Sequence, residues 1–320
     1  MNCKGAETGK GESRAEMLNG IINVYKEAGF TSHDVVAKLR GIVGQKKIGH
    51  TGTLDPDAEG VLVVCVGRAT KLVDDLSDGT KTYEAELLLG RITDTQDISG
   101  KILEEHEVHV TPDEVCEAIL SFEGKQLQMP PMYSAIKIGG KKLVDLARKG
   151  KVVDRTPREV EFRDFVILEN EPPRIRFRVT CSKGAYIRTL CEDIGRKLGC
   201  GGCMAALLRT RVRQFDLSEA HTLDEIRKIM EKEDAEGRTE YSFVYPVQDF
   251  FPGRPDITVT PGIDKAVYNG NRFYLKKGRV AGIPEEDCEV RVYASSGEFI
   301  GIYKKRGEEY SLVRMFYSPS

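Results

Sequence analysis

A chain of 320 residues, 40% hydrophobic and 31% charged, has the composition of an ordinary soluble protein of one large domain or two. It contains no apolar run long enough to cross a bilayer, and its first residues lack the apolar core of a signal peptide, so no membrane association and a cytoplasmic location are expected. A formal net charge of -2 gives no overall sign of a polyanion binder.

Residues 1–18 are polar and glycine-rich without apolar periodicity, and a disordered N-terminal extension is expected there. A strand is predicted over 21–25. Thr31 with Asp34 three residues on caps a helix whose apolar face is Val35, Leu39 and Val43, and Gly44 ends it. Residues 61–66 are apolar throughout, as in a strand buried on both faces, and 83–89 supplies another. Thr111-Pro112-Asp113-Glu114 is a capping box opening a helix with Val115, Ala118, Ile119 and Phe122 on its apolar side. Strict alternation from Arg174 to Val179 puts three arginines on one face of a strand, facing either RNA or solvent. Tyr186, Leu190, Ile194 and Leu198 mark a helix stopped by Gly199, and Thr222 with Glu225 caps a further one.

After Phe251-Pro252-Gly253 the texture changes to short strand-like runs at 272–275, 290–293, 299–303 and 312–316, the pattern of a small β-barrel. The fold expected is therefore α+β: a unit over 19–250 with a mixed or antiparallel central sheet, then a barrel unit over 251–320.

Charge is unevenly placed. Between Lys125 and Arg213 there are 20 Lys and Arg against 9 Asp and Glu, a local positive field suited to phosphates. The eight cysteines, in a reducing compartment, are expected to be free thiols. Cys200-Gly201-Gly202-Cys203 has zinc-ligand spacing but no second pair nearby, so a tight turn is expected and no metal.

The densest chemistry lies in Gly49-His50-Thr51-Gly52-Thr53-Leu54-Asp55-Pro56. Pro56 biases Asp55 toward extended backbone, and the glycines admit close approach of a ligand, so this carboxylate is aimed rather than merely solvated. A calcium loop is excluded, because its closing glutamate would fall at Val66.

That segment, followed by Gly60-Val61-Leu62 and Gly67-Arg68-Ala69-Thr70-Lys71, resembles the catalytic motif of the bacterial TruB-type tRNA pseudouridine synthases. Lys81-Thr82-Tyr83-Glu84-Ala85, Gly90-Arg91-Ile92-Thr93-Asp94-Thr95, Pro130-Pro131-Met132-Tyr133-Ser134-Ala135 and Cys181-Ser182-Lys183-Gly184-Ala185-Tyr186-Ile187-Arg188-Thr189 resemble further family segments in the same order. There are two departures. Glu27 stands where the family usually has proline, which puts the rigidity of the Lys26–Gly29 turn in question. Asp57 and Glu59 add negative charge after the aspartate and are expected to point away from the RNA.

The resemblance implies conversion of uridine to pseudouridine in the T loop of tRNA, at position 55, with the base flipped from its stack. The reaction breaks a C–N bond and makes a C–C bond without redox change or phosphoryl transfer, so no cofactor and no metal are expected. By resemblance Asp55 is the carboxylate acting at the ribose, and Arg188 pairs with it and keeps it ionised. Tyr83 stacks on the base and is a candidate to remove the C5 proton, while Leu207 walls the base and Tyr186 lies beside it. His50 contacts the flipped region, whereas His33, His106, His109 and His221 are expected at the surface. Lys137, Lys141, Lys142, Arg148 and Lys149 fall in the segment resembling the family's loop over the T arm. The terminal unit is expected to be PUA-like and to hold tRNA. No obligatory protein partner and a monomer are expected, with an accompanying tRNA-folding activity as a rival or companion to catalysis.

Overall fold

In the computed structural model, residues 18–238, 240–276 and 287–317 are described. The expected N-terminal extension, apart from Leu18, lies outside the described residues.

A mixed sheet of ten strands organises the larger part of the chain. Its main path runs Val244–Tyr245, Gly20–Lys26, Glu59–Val66, Gly202–Val212, Lys81–Leu89, Arg174–Cys181, Arg158–Glu171, Gly124–Gln128. Neighbours are antiparallel except that Gly202–Val212 runs parallel to Glu59–Val66. Residues Gly60 to Val66 are all buried, as the apolar run requires. Alternate side chains feed two layers: Val61, Val63 and Cys65 pack with Leu72 and Leu76, while Leu62, Val64 and Val66 pack under the helix Ser32–Val43.

That helix has the predicted reciprocal cap between Thr31 and Asp34 and ends at Gly44, whose φ of 65° is left-handed. Helices Pro112–Leu120 and Ile187–Lys197 cover the other half of the sheet, where Tyr83, Ala85, Leu87, Ile175, Phe177 and Val179 turn inward. Phe122, assigned to the first of these helices, lies beyond its end but still packs on the core. Tyr186 is the N-cap of the second rather than part of its face.

The arginine face is settled by its neighbours. Arg178 pairs with Glu84 at 2.7 Å, Arg176 with Glu169 at 2.5 Å, and Arg174 with Glu86. These exposed cross-strand pairs balance the arginine charge where it stands.

The C-terminal unit has five strands in the order Asp256–Thr258, Glu289–Tyr293, Phe299–Arg306, Glu309–Met315, Phe273–Tyr274, with the helix Pro261–Tyr268 beside them. It is an open half-barrel, compatible with the PUA-like expectation. Its own core includes Ile257, Val290, Val292 and Ile300, but Ile302 and Phe316 pack instead into the cluster of Val61, Val63 and Cys65.

Candidate active site

Asp55 stands in the loop between the strands Ile48–His50 and Glu59–Val66, and that loop is tied at four places. Before it, the Leu54 amide donates to Ser32 Oγ at 2.9 Å, which anchors the loop on the first turn of Ser32–Val43. After it, the Ala58 amide donates to the Asp55 carbonyl at 3.2 Å. Beneath it, Lys26 is fully buried, and its ammonium donates to the carbonyls of Ala58 at 2.5 Å, Pro56 at 2.9 Å and Glu27 at 3.1 Å. The Gly29 amide adds a bond to the Pro56 carbonyl at 3.0 Å. The rigidity that Glu27 put in question is thus supplied by Lys26. Glu59 is held by the Tyr25 hydroxyl at 3.2 Å. Asp57 is exposed and is among the residues lining a cavity beside Asp55.

Arg188, on the first turn of Ile187–Lys197, meets Asp55 in a two-pronged pair: Nε to Oδ2 at 2.9 Å and Nη2 to Oδ1 at 3.2 Å. Its remaining donors are also used. Nη1 donates to the Thr95 carbonyl at 2.9 Å and Nη2 to the Tyr133 carbonyl at 2.8 Å, with Asp97 3.8 Å away. The Arg188 side chain is 6% exposed, whereas that of Asp55 remains 39% exposed, so the cation is structural and the carboxylate is presented.

Two groups hold this frame. Gln128, buried on a neighbouring strand, donates to the Tyr186 carbonyl at 3.0 Å and accepts from its amide at 2.8 Å, fixing the start of the Arg188 helix. Gln96 has a left-handed φ of 65°, and its amide is gripped by Thr189 at 2.8 Å and by Glu192, which sets the Thr95 carbonyl toward Arg188.

A cavity of about 520 Å³ opens on one side of Asp55, large enough for a nucleoside. Tyr83, Tyr186, Leu207, Arg188 and Lys142 line it, and a smaller one of about 250 Å³ holds Asp97 and Arg148. Lys137, Lys141 and Lys149 line neither; they are exposed on or beside the hairpin Lys137–Ile138 and Lys141–Lys142, next to the helix Leu143–Ala147 that buried Leu143 anchors. His50 is half-buried and lines neither cavity, and its Nδ1 is without a hydrogen-bond partner among the described residues. His33 is exposed as expected, and it also lines the larger cavity, with its ring edge-to-face on His50 at 5.3 Å. His106 and His109 are exposed as expected, whereas His221 is half-buried and bonds the backbone of the first strand.

The cavity floor contains a residue that its sequence context does not reveal. Arg209 is fully buried, directly across from Tyr83 in the strand register. Its Nε donates to the Val61 carbonyl at 2.7 Å and its Nη2 to the Gly52 carbonyl at 3.2 Å. Gly60, at a φ of 103°, is required here: a Cβ would lie 2.2 Å from the Arg209 carbonyl oxygen. Lys81, 8% exposed, donates to the carbonyls of Ser77 at 2.9 Å and Gly79 at 3.0 Å.

Burial dominates the electrostatics. It raises the Asp55 pKa; Arg188 opposes this and Asp97 adds to it. Burial lowers His50 to about 4, helped by His33 and Arg209, and lowers Lys81 to about 8, helped by Arg209. Cys200 and Cys203 are buried free thiols raised by the same cause, in a turn where Gly201 has a φ of 73°.

Residues 40–187 match the TruB family pseudouridylate synthase N-terminal domain, and residues 188–250 match the tRNA pseudouridylate synthase B C-terminal domain. Proteins named tRNA pseudouridine synthase B from Alkaliphilus oremlandii and Lachnoclostridium phytofermentans are 46% and 48% identical to this chain, over 92% and 93% of it and 95% and 100% of their own length. Among solved structures, an H/ACA RNP bound to a substrate RNA containing 2′-deoxyuridine matches with a TM-score of 0.66 at 26% identity, covering 93% of this chain and 85% of that one. An archaeal box H/ACA sRNP Nop10-Cbf5 complex matches with a TM-score of 0.66 at 27% identity, covering 96% and 89%.

Fold and matches together define a pseudouridine synthase, an isomerase. Within that class the chain belongs to the TruB family.

Proposed function

We propose that this enzyme converts uridine to pseudouridine in tRNA, at position 55 of the T loop, with Asp55, Tyr83 and Arg188 as the catalytic set. The two-pronged Asp55–Arg188 pair at the edge of a nucleoside-sized cavity carries this reading, since gripping RNA alone needs no carboxylate presented by a buried arginine. Asp55 works ionised at the ribose of the flipped nucleotide, either as nucleophile at C1′ or as base toward the 2′ proton. Tyr83 lies under the base and faces C5, with Leu207 and Tyr186 as walls. His33 and His50 meet the displaced part of the loop. Lys137, Lys141, Lys142, Arg148 and Lys149 contact the T-arm backbone, and residues 251–320 hold tRNA outside the loop.

The enzyme acts as a cytoplasmic monomer without a protein partner. Among the described residues no helix is long and apolar enough to cross a membrane.

Release of tritium from C5-labelled uridine in a tRNA transcript, followed by mapping of the modified position, tests the assignment. Asp55→Asn abolishes release while keeping tRNA affinity within about tenfold, or about 1.4 kcal/mol. Residual turnover in that variant removes Asp55 from the mechanism, and modification mapped elsewhere removes the T-loop assignment. A tRNA-folding activity that persists in Asp55→Asn is the companion role expected of the basic segment.

A further inference from the structure

Arg209 is a large, fully buried side chain, and among the described residues it forms no ion pair. Two of its nitrogens are committed to the carbonyls of Val61 and Gly52, whereas the third, Nη1, is buried with no hydrogen-bond partner. An arginine placed that way at the floor of a cavity is costly unless something there uses its charge.

The candidate is fixed by the register. Arg209 and Tyr83 are directly opposed on adjacent antiparallel strands, so their side chains share one face, and both line the cavity that holds Asp55. Lys81, two residues before Tyr83, adds a second cation that also lacks an ion pair among the described residues. The other charged or titratable groups near the phenol are Asp55 from the motif loop and Cys181 from the adjoining strand.

Building on the assignment of Tyr83 as the group facing C5, we propose that Arg209 is a positioning residue for the last chemical step, stabilising the phenolate form of Tyr83 through which the C5 proton is accepted. Burial dominates and keeps the resting phenol protonated, and Arg209, by its charge and by its side-chain contact with the hydroxyl, is the largest influence opposing it, so that losing this cation makes the phenolate still harder to form. Once C5 is bonded to C1′, it carries both that carbon and a hydrogen. The Tyr83 phenolate takes the hydrogen as a proton. The C–H electron pair forms the C5=C6 double bond, and the former C6=N1 pair returns to N1, which takes a proton from water. The phenol then gives its proton to the hydroxide left behind, so nothing is consumed. Asp55 and Arg188 serve the earlier bond exchange, and Arg209 serves only this deprotonation.

The two stages separate in the test. A hairpin RNA carrying 5-fluorouridine at the target position reacts as far as the C5–C1′ bond and stops there, because fluorine does not leave as a cation. In single-turnover assays of the full chain, Arg209→Gln is expected to slow C5 tritium release about 100-fold, equivalent to about 2.7 kcal/mol. The same variant processes 5-fluorouridine RNA at the wild-type rate, and its isotope effect with 5-deuterated uridine rises above that of wild type. Arg209→Lys, which keeps a cation, recovers most of the loss. Equal slowing on both RNAs, or an unchanged isotope effect, makes Arg209 plain scaffold and overturns the proposal. Should Arg209→Gln fail to fold, the decision passes to Arg209→Lys on the same two RNAs: a residual slowing confined to C5 tritium release supports the proposal, and equal slowing on both RNAs, or none on either, refutes it. Wild-type tritium release from Tyr83→Phe itself removes the underlying assignment of Tyr83, an outcome distinct from failure at Arg209 alone.

Discussion

Replacing Arg188 by lysine keeps the charge next to Asp55 and removes the geometry. In the intact site the guanidinium contacts both carboxylate oxygens at 2.9 and 3.2 Å and the carbonyls of Thr95 and Tyr133 at 2.9 and 2.8 Å. A lysine ammonium reaching into this place serves one carboxylate oxygen and one carbonyl at most, because it is a single point rather than a planar fork. Losing one carboxylate bond and one carbonyl contact at about 1.5–2 kcal/mol apiece gives about 3–4 kcal/mol, a rate loss of about 150- to 900-fold. Single-turnover tritium release measures the rate, and fluorescence anisotropy of a labelled T-arm hairpin measures binding, which should hold within about threefold. The variant should also lose activity on the acid side at higher pH than wild type. Asp55 must be ionised to act, burial raises its pKa, and the Arg188 pair is the main influence holding it down. A rate within about tenfold of wild type, or an acid limb that stays in place, refutes the claim that the fork positions and ionises Asp55.

Lys26→Met strips the buried donor from three loop carbonyls and should cost about 2–4 kcal/mol in urea unfolding, with a fall in kcat at unchanged RNA affinity; an unchanged kcat means the Asp55 loop does not depend on Lys26. His50 has a folded-state pKa near 4, so its unfolded form binds the extra proton between pH 6.5 and 4, and its contribution is complete above that window and lost as pH falls through it. Because the ring is only half-buried, that contribution is at most about 3 kcal/mol, and His50→Phe should flatten the acid side of a stability–pH profile measured by urea titration. Phe316→Ala, which empties a place in the cluster shared with Val61 and Val63, should cost about 3–4 kcal/mol and leave a single unfolding transition. Two separable transitions would mean that the terminal unit folds independently of the central sheet.

The parts of the site legible in the sequence are those whose information is local. Asp55, Tyr83 and Arg188 sit in dense motifs, and the caps at Thr31, Thr111 and Thr222 are spelled within four residues. Lys26, Ser32, Gln128 and Arg209 were not assigned roles, because each acts through backbone carbonyls or amides far away in the chain, and such partners leave no side-chain signature. The strand Gly202–Val212 went unpredicted for a related reason. Register shifts between Met204 and Ala206 and between Arg209 and Arg211 break its alternation, so its inward residues do not repeat at every second position. His33 is exposed as expected, but its contact with His50 was not legible, because the packing of a helix against a strand brings the two rings together. The terminal strands were readable from short apolar runs, but the openness of their sheet was not, since closure depends on which edges pair.

The order of strands in the central sheet also governs the birth of the enzyme on the ribosome. Glu59–Val66 and Lys81–Leu89 emerge early and close together, yet the gap between them is filled by Gly202–Val212. Until that late segment has cleared the exit tunnel, the cavity has neither Leu207 nor Arg209, and Asp55 waits for an arginine 133 positions downstream. The nascent chain therefore lacks a complete cavity until Gly202–Val212 has been made, which is well past the middle of its synthesis.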